Sequence, residues 1–248
     1  MKNVFEEAYN RNTGEIISLS KIKSLFESNT ERYYNEIQPY LYCPECEEAH
    51  LIYVNRRPNG YLKARSVEEH SDLCSEKYEI ASKQILYSTY VNGTEQSKDE
   101  IFLKLTNLLN QIYRHNTSNS ILTANSVIMT TNKKDNIKSQ VITSYKRIPR
   151  KNINLPFTEN DIDEYKMYYG EAIITQSSNK NLQKYYLHLF NENGSKICDI
   201  DMSMKVGEHV ASKFSQLIGL KTKIAVFGEY NKYNCIHIKH SKFIKIIL

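Results

Sequence analysis

Cys43-Pro44-Glu45-Cys46, followed by His70-Ser71-Asp72-Leu73-Cys74, is the part of this sequence whose residue types and spacing best support chemistry. Two thiols three positions apart on a tight turn can clasp one metal ion. An imidazole and a third thiol four positions apart share one face of a predicted helix start. Thiolate and imidazole are borderline-soft donors, so a Cys3His tetrahedron selects zinc over hard cations. Four protein donors leave no open coordination position, and Cys43, Cys46, His70 and Cys74 are expected to hold a structural Zn2+. His50, four residues after Cys46, is the competing imidazole. A ligand there would come from a strand and leave Cys74 without a neighbour on its helix, which favours His70. Cys198 and Cys235 fall inside predicted strands and read as small buried apolar residues.

Catalytic sets are harder to find. A two-carboxylate metal nuclease needs an acid on one strand and Glu-x-Lys on the next. The nearest arrangement, Glu164-Tyr165-Lys166 behind Asp161 and Asp163, reads as the acidic start of an element in a linker. Asp199-Ile200-Asp201 puts two carboxylates on the wet face of a strand, where solvated residues are the ordinary reading. His115, His188, His209, His237 and His240 do not cluster in sequence, and each reads as a surface or hydrogen-bonded histidine. No glycine-rich nucleotide loop, HExxH or GxSxG occurs. No catalytic residue is assigned, and the expectation leans away from an enzyme.

Charge is segregated along the chain. The formal total of +5 is mild, but residues 1–50 hold five basic residues against nine Glu, whereas 51–66 carry Arg56, Arg57, Lys63 and Arg65 with no acid. Residues 132–151 hold seven basic residues, among them Lys146, Arg147, Arg150 and Lys151, against Asp135. Residues 221–248 hold six Lys, including Lys221 and Lys223, against Glu229. Three basic segments form one surface for an anionic ligand only if the fold gathers them; otherwise they are solvated faces. The 19 Tyr, with no Trp, accompany plentiful Asn, Lys and Ile, which fits coding bias as well as base stacking.

The elements that must position these residues follow from periodicity. With 40% hydrophobic residues, 8 Gly and 5 Pro in 248, the chain is folded rather than disordered or collagen-like. No apolar run reaches the roughly 20 residues of a membrane span, and the first residues lack a signal-peptide core, so a cytoplasmic protein with no membrane partner is expected. The predicted elements are a hairpin over Val4–Tyr9 and Glu15–Ser18, a helix capped by Ser20 and reaching Glu27, a strand at Leu51–Val54, and a helix over Val67–Tyr87. A further helix carries Ile101, Leu105, Leu108, Leu109 and Ile112 and ends near Asn116. Strands follow at Ile121–Thr130 and Ser139–Tyr145, with a Pro-containing linker over Arg147–Asn160. The last part reads as strands Tyr168–Gln176, Tyr185–Asn191 and Lys196–Met204, a helix Glu208–Ile218, and strands Lys221–Gly228 and Asn234–Ile247.

That βββ-α-ββ order resembles the oligonucleotide/oligosaccharide-binding (OB) fold in topology, a five-stranded partly open barrel. The expected class is α+β, in three parts: a zinc-finger module at 1–88, a central helix and β-hairpin with basic linker at 89–157, and an OB-like barrel with one helix at 158–248. Ala8-Tyr9-Asn10, Thr13-Gly14-Glu15-Ile16, Tyr42-Cys43-Pro44-Glu45-Cys46, Arg56-Arg57-Pro58 and His70-x3-Cys74 together resemble the N-terminal zinc-finger region of bacterial competence CoiA-like proteins, over residues 4–75. Tyr61-Leu62-Lys63-Ala64 departs from that family's aromatic-x-His signature. The resemblance implies a nucleic-acid context.

The combined expectation is a bacterial, non-catalytic, zinc-finger nucleic-acid-binding protein, with single-stranded DNA or RNA favoured. Arg56, Arg57, Lys63, Arg65, Lys146, Arg147, Arg150, Lys151, Lys221 and Lys223 would meet phosphates, and Tyr185 would stack, with Tyr53 or Tyr61 available beside the metal. The alternatives are a protein-interaction or scaffold subunit of a multi-component system such as phage defence, and a divergent metal-dependent nuclease.

Overall fold

A computed structural model describes residues 4–56, 60–72, 74–113, 127–132 and 142–248. Arg57, His115, Lys133, Lys134, Lys138 and the expected strand portions 121–126 and 139–141 lie outside the described residues. The chain divides into two compact units, Met1–Glu79 with Gln111–Arg147 and Ile80–Asn110 with Ile148–Leu248.

In the first unit, Asn10 and Gly14 shape the opening turn. Asn10 Oδ1 accepts the backbone N–H groups of Asn12 (2.9 Å) and Thr13 (3.3 Å), and Gly14 takes φ +71°, where a Cβ is disfavoured. Strands β1 (Glu7–Asn10) and β2 (Glu15–Ser18) consequently pair antiparallel. Ser18 rather than Ser20 caps α1 (Leu19–Ser28): its Oγ accepts the Lys21 N–H at 3.3 Å, while the Ser20 hydroxyl lies 3.0 Å from it. Asn29 caps α2 (Thr30–Arg32), which runs through a wide helical turn, Tyr33–Ile37, into β3 (Leu41–Tyr42) on the free edge of β1. β4 (Leu51–Val54) and β5 (Tyr61–Ala64) form the basic hairpin, tied to the N-terminal segment by a Phe5↔Leu62 bridge. Phe5, Ala8, Ile17, Ile22, Tyr33, Leu41, Leu51 and Leu62 make the core, continuous with the buried cysteines.

Of the helix expected over Val67–Tyr87, the C-terminal part is helical, at Lys83–Leu86 and from Tyr87 onward, but the described residues of 67–78 make no α-helix. Between Val67 and Tyr78 the only other large apolar side chain is Leu73, so no stripe exists to bury a helix against the core. The segment makes turns, a short 3-10 turn at Ser75–Lys77 and β6 (Glu79–Ile80). β6 lies in a three-stranded sheet, order β6-β8-β7, with β7 (Val127–Asn132) and β8 (Ile142–Arg147) antiparallel.

The second unit begins with α3 (Lys83–Leu86), capped by Ser82, and includes α4 (Glu95–Tyr113) as far as Asn110. The periodic face of α4 is as read: Ile101, Leu105, Leu108 and Leu109 are buried. A seven-stranded sheet follows, built from β9 (Arg150–Asn152), β10 (Tyr165–Asn179), β11 (Lys184–Phe190), β12 (Lys196–Ser203), β13 (Lys221–Asn231), β14 (Cys235–His237) and β15 (Ile244–Ile247), with α5 (Met204–Phe214) between β12 and β13. Its order is β15-β13-β14-β12-β11-β10-β9, and β10 also pairs with β13, so five strands close into a ring. Within the ring all neighbours are antiparallel except β12 and β14, which run parallel with Ile200 opposite Ile236. Mixed helix and strand content around a large, partly ring-closed sheet places the chain in the α+β class.

Cys198, Ile200 and Met202 point into the ring beside Ile174, Leu187, Leu189, Val226 and Ile236, while Asp199 and Asp201 point out. Gly207 lets α5 lie on the ring, since a Cβ there would fall 2.1 Å from Tyr185 Cβ and Cγ. Several bounds differ from the sequence reading. β10 starts at Tyr165, ahead of the expected Tyr168, and the last strand breaks in two at a 3-10 turn, Ser241–Phe243. Helix α5 begins directly after Ser203, four residues before the expected Glu208.

The acidic cluster before Lys166 has a structural use. Asp161 is 1% exposed and sits 2.6 Å from Lys166 Nζ and 3.6 Å from Lys151 Nζ, itself 3% exposed, while Thr158 N–H donates to its second oxygen at 2.7 Å. Burial pushes the carboxyl upward, but the Lys166 and Thr158 hydrogen bonds and the two ammonium charges outweigh it, holding its pKa below the usual value. A depressed folded-state pKa contributes stability above the unfolded carboxyl pKa and loses it as pH falls through the folded one. Asp161→Ala, which strands buried ammonium charge, should lower urea stability at neutral pH by about 3–5 kcal/mol. The gap between wild type and variant should narrow steadily in acid; an equal gap at all pH would contradict this assignment.

Candidate metal centre

The first two cysteines occupy a knuckle directly after β3. Cys43 N–H donates to Ala49 O (2.8 Å), Glu47 N–H donates to Cys43 O (2.9 Å), and Glu47 adopts φ +56° to turn the chain. The other pair comes from the turns that replace the expected helix: His70 N–H donates to Val67 O, and Cys74 N–H to Ser71 O. All four side chains are buried, and their ligand atoms lie within 4.8 Å of one another. Cys43 Sγ is 3.9 Å from Cys74 Sγ, and His70 Nδ1 is 3.5 Å from Cys46 Sγ and 3.2 Å from Cys74 Sγ. A tetrahedron with metal–sulfur bonds of about 2.3 Å has S···S edges near 3.8 Å, so the spacing suits a bound ion. Cys43, Cys46, His70 and Cys74 thus form a buried group that could hold a metal ion.

Its electrostatics point the same way. Hydrogen bonds from Cys43 and Cys74 favour the Cys46 thiolate and lower its pKa, whereas burial drives Cys43 up, and hydrogen bonding to Cys43 and Cys46 together with burial drives Cys74 up. Burial and mutual repulsion oppose ionising all three sulfurs together, and a bound cation would relieve that opposition. His50 stands apart: its Nε2 is 2.9 Å from Gln38 O and its backbone N–H donates to Glu69.

Two supports were not foreseen. The Glu45 carboxylate accepts Ser75 N–H (3.0 Å) and Ser75 Oγ–H (2.5 Å), joining the knuckle to the residue after Cys74. Glu76 pairs with Arg147 at 2.8 Å, both side chains buried. The only sequence signal for Glu45 was its place inside the Cys-x-x-Cys turn.

The residues expected to meet nucleic acid divide sharply. Arg56 and Arg65 are exposed, Lys63 on β5 is half-buried, and none of the three makes an ion pair among the described residues. Lys146 pairs with Glu79, Arg147 with Glu76, Lys151 with Asp161, and Lys221 with Glu171 and Glu192. Arg150 on β9 and Lys223 on β13 are half-buried and have partners of their own. Tyr185 is buried against α5 with its hydroxyl donating to Gln176 at 2.6 Å, leaving no ring face open; Tyr186 is the residue facing outward. Tyr53 is packed among Phe26 and Tyr33 at 5.4 and 6.3 Å, while Tyr61 stays half-exposed.

The histidines that looked dispersed in sequence meet carboxylates across strands. His188 lies opposite Asp199, with Nδ1 2.7 Å from Asp199 Oδ1 and Nε2 2.8 Å from Ser177 Oγ. His237 lies opposite Asp201 at 2.7 Å, and Lys184 completes that pair. Only strand register, not sequence spacing, brings these groups together.

No protein-family model, no curated protein and no solved structure matches the chain. The ligand geometry leads to a direct expectation. Elemental analysis of protein purified without chelator should find about one divalent metal ion per chain. Cys74→Ser and His70→Ala should lose it, while His50→Ala should keep it; metal loss in the His50 variant alone would reverse the assignment.

Proposed function

We propose that the chain is a zinc-stabilised protein that binds single-stranded nucleic acid, with an OB barrel in its second unit and a CoiA-like zinc module at residues 4–75. The observation that carries the reading is the strand connectivity of the ring. Counting β10, β11, β12, β13 and β14 as one to five, the order around the ring is 1-2-3-5-4, with strands three and five parallel and a helix between three and four. That arrangement is what an OB barrel requires, and such barrels offer an outward face to single strands.

The donor set supports zinc as the ion. Three sulfurs and one imidazole favour a borderline-soft cation, and four buried protein donors leave no coordination site for a substrate, so the ion's role is to fold the first unit. All five cysteines are free thiols, which fits the reducing cytoplasm we assign to the protein. Among the described residues no helix is long and apolar enough to cross a membrane.

Phosphate-binding roles are assigned to Arg56, Lys63 and Arg65, on and beside the β4–β5 hairpin, because among the described residues no acid is paired with them. Tyr61 on the same hairpin is available to stack. Lys221 and Lys146 would exchange exposed ion pairs of little net strength for phosphate, whereas Arg147 and Lys151 are buried on their own carboxylates and serve the fold.

Fluorescence anisotropy with labelled oligo-dT and oligo-U across a salt series tests this. Binding should weaken linearly in log salt. The triple change Arg56→Glu, Lys63→Glu and Arg65→Glu should reduce the slope by about 2, at roughly 0.7 for each phosphate that the variant no longer neutralises. Absence of binding at low salt, or a slope untouched by the triple variant, would refute the reading.

A further inference from the structure

We propose that Ser177, His188 and Asp199 form a nucleophilic relay that gives the second unit an acyl-transfer activity toward carboxylic esters. The three residues sit on three consecutive strands, β10, β11 and β12. The serine oxygen lies 2.8 Å from His188 Nε2, and the opposite ring nitrogen, Nδ1, lies 2.7 Å from Asp199 Oδ1. This connectivity is the one required of an activated serine: a carboxylate on one imidazole nitrogen fixes the tautomer that leaves the other free to accept the hydroxyl proton.

The surroundings hold that order in place. Lys196 Nζ donates to the second oxygen of Asp199 at 2.8 Å, which fixes the orientation of the carboxylate. The Tyr186 ring lies parallel to the imidazole, 6.2 Å away at 8°, on the outward face. Ser177 itself is exposed, open to an incoming acyl group.

The strand also supplies a hydrogen-bond donor beside the serine. Met167 N–H and Glu171 N–H point to the β9 side of β10, whereas Ile174 O accepts Gly219 N–H on the opposite edge. Alternation along the strand sends the Ser178 N–H to that second edge, beyond the point where pairing with β13 ends at Ile173↔Lys221. The residue following the nucleophile thus offers its N–H at an edge that β13 has left, where oxyanion charge can develop.

In the reaction, Ser177 Oγ adds to the ester carbonyl carbon as its proton passes to His188 Nε2. The adduct collapses with cleavage of the bond to the alcohol oxygen, which takes the proton from the imidazolium. A water molecule, deprotonated by the same nitrogen, then adds to the acyl-serine. Its collapse breaks the bond to Oγ, returns the proton there and releases the carboxylic acid. Ester and water become acid and alcohol, with no other reactant. Asp199 touches no reacting atom and acts as a positioning residue.

The test uses the full chain, a fluorophosphonate probe read by intact and peptide mass spectrometry, and hydrolysis of p-nitrophenyl acetate. One adduct should form, on Ser177. Ser177→Ala should abolish it, and His188→Ala should slow both adduct formation and ester hydrolysis by about 100-fold or more. Asp199→Asn should slow them and also shift the His188 ring 15N signals toward the other tautomer, an effect that mere loss of stability does not produce. Because the three side chains lie on the outward face, each variant should keep the wild-type circular dichroism. No adduct, an adduct elsewhere, or a rate unchanged in His188→Ala would overturn the proposal, while oligonucleotide binding is measured separately and does not depend on the outcome.

Discussion

Three thiols and an imidazole closed off from water within 4.8 Å of one another set the terms for the first unit. Ionising all three sulfurs would concentrate negative charge where little solvent can screen it, and leaving them protonated would crowd weak donors together. A divalent cation removes both costs at once, and its binding energy becomes folding energy. The local chain follows from this requirement. The described residues of 67–72 and 74–78 form turns rather than an α-helix, and they deliver His70 and Cys74 to the knuckle at Cys43 and Cys46. Phe5 lies parallel to the His70 ring at 6.1 Å and bridges Leu62, so the centre and the basic hairpin are tied to the same segment.

The second unit gains its order from a sheet closed on itself. Closing β10 onto β13 removes two sheet edges, and the alternation of Cys198, Ile200 and Met202 with Asp199 and Asp201 separates a dry interior from a polar exterior. Part of the exterior charge is paired within the unit. Asp199 meets His188 and Lys196, Asp201 meets His237 and Lys184, and Lys221 meets two glutamates. The excess positive charge of residues 221–248, obvious in composition, is therefore partly neutralised within the fold. The cations of the β4–β5 hairpin are the better measure of affinity for a polyanion.

Particular residues explain what could and could not be read in advance. The Cys3His group was legible because a metal site imposes a spacing on sequence. The strands of the ring were legible because a half-buried strand imposes a period of two. The Val67–Tyr87 segment misled, since capping residues and scattered acids resemble a helix start even when no apolar stripe follows. Tyr185 and Tyr186 differ by one position, hence by one face, and deciding which ring faces outward needed the register of β11. The same register joins Ser177, His188 and Asp199, whose separations in sequence match no motif. Lys166 and Asp161 looked like fragments of a nuclease site and instead neutralise each other beside the sheet.

The interleaved division of the chain bears on how it is made. Each unit is assembled from two separate stretches, 1–79 with 111–147 and 80–110 with 148–248, so the polypeptide passes from one to the other three times. All four residues of the candidate metal centre have been translated by residue 74, before the last stretch of either unit leaves the ribosome. Metal capture is thus available before the ring can close, since the closing partner β13 starts only at Lys221. An ion taken up by that group at this stage would hold the first stretch in its native shape while the second unit is completed, so metal supply would then bear on yield as well as on stability.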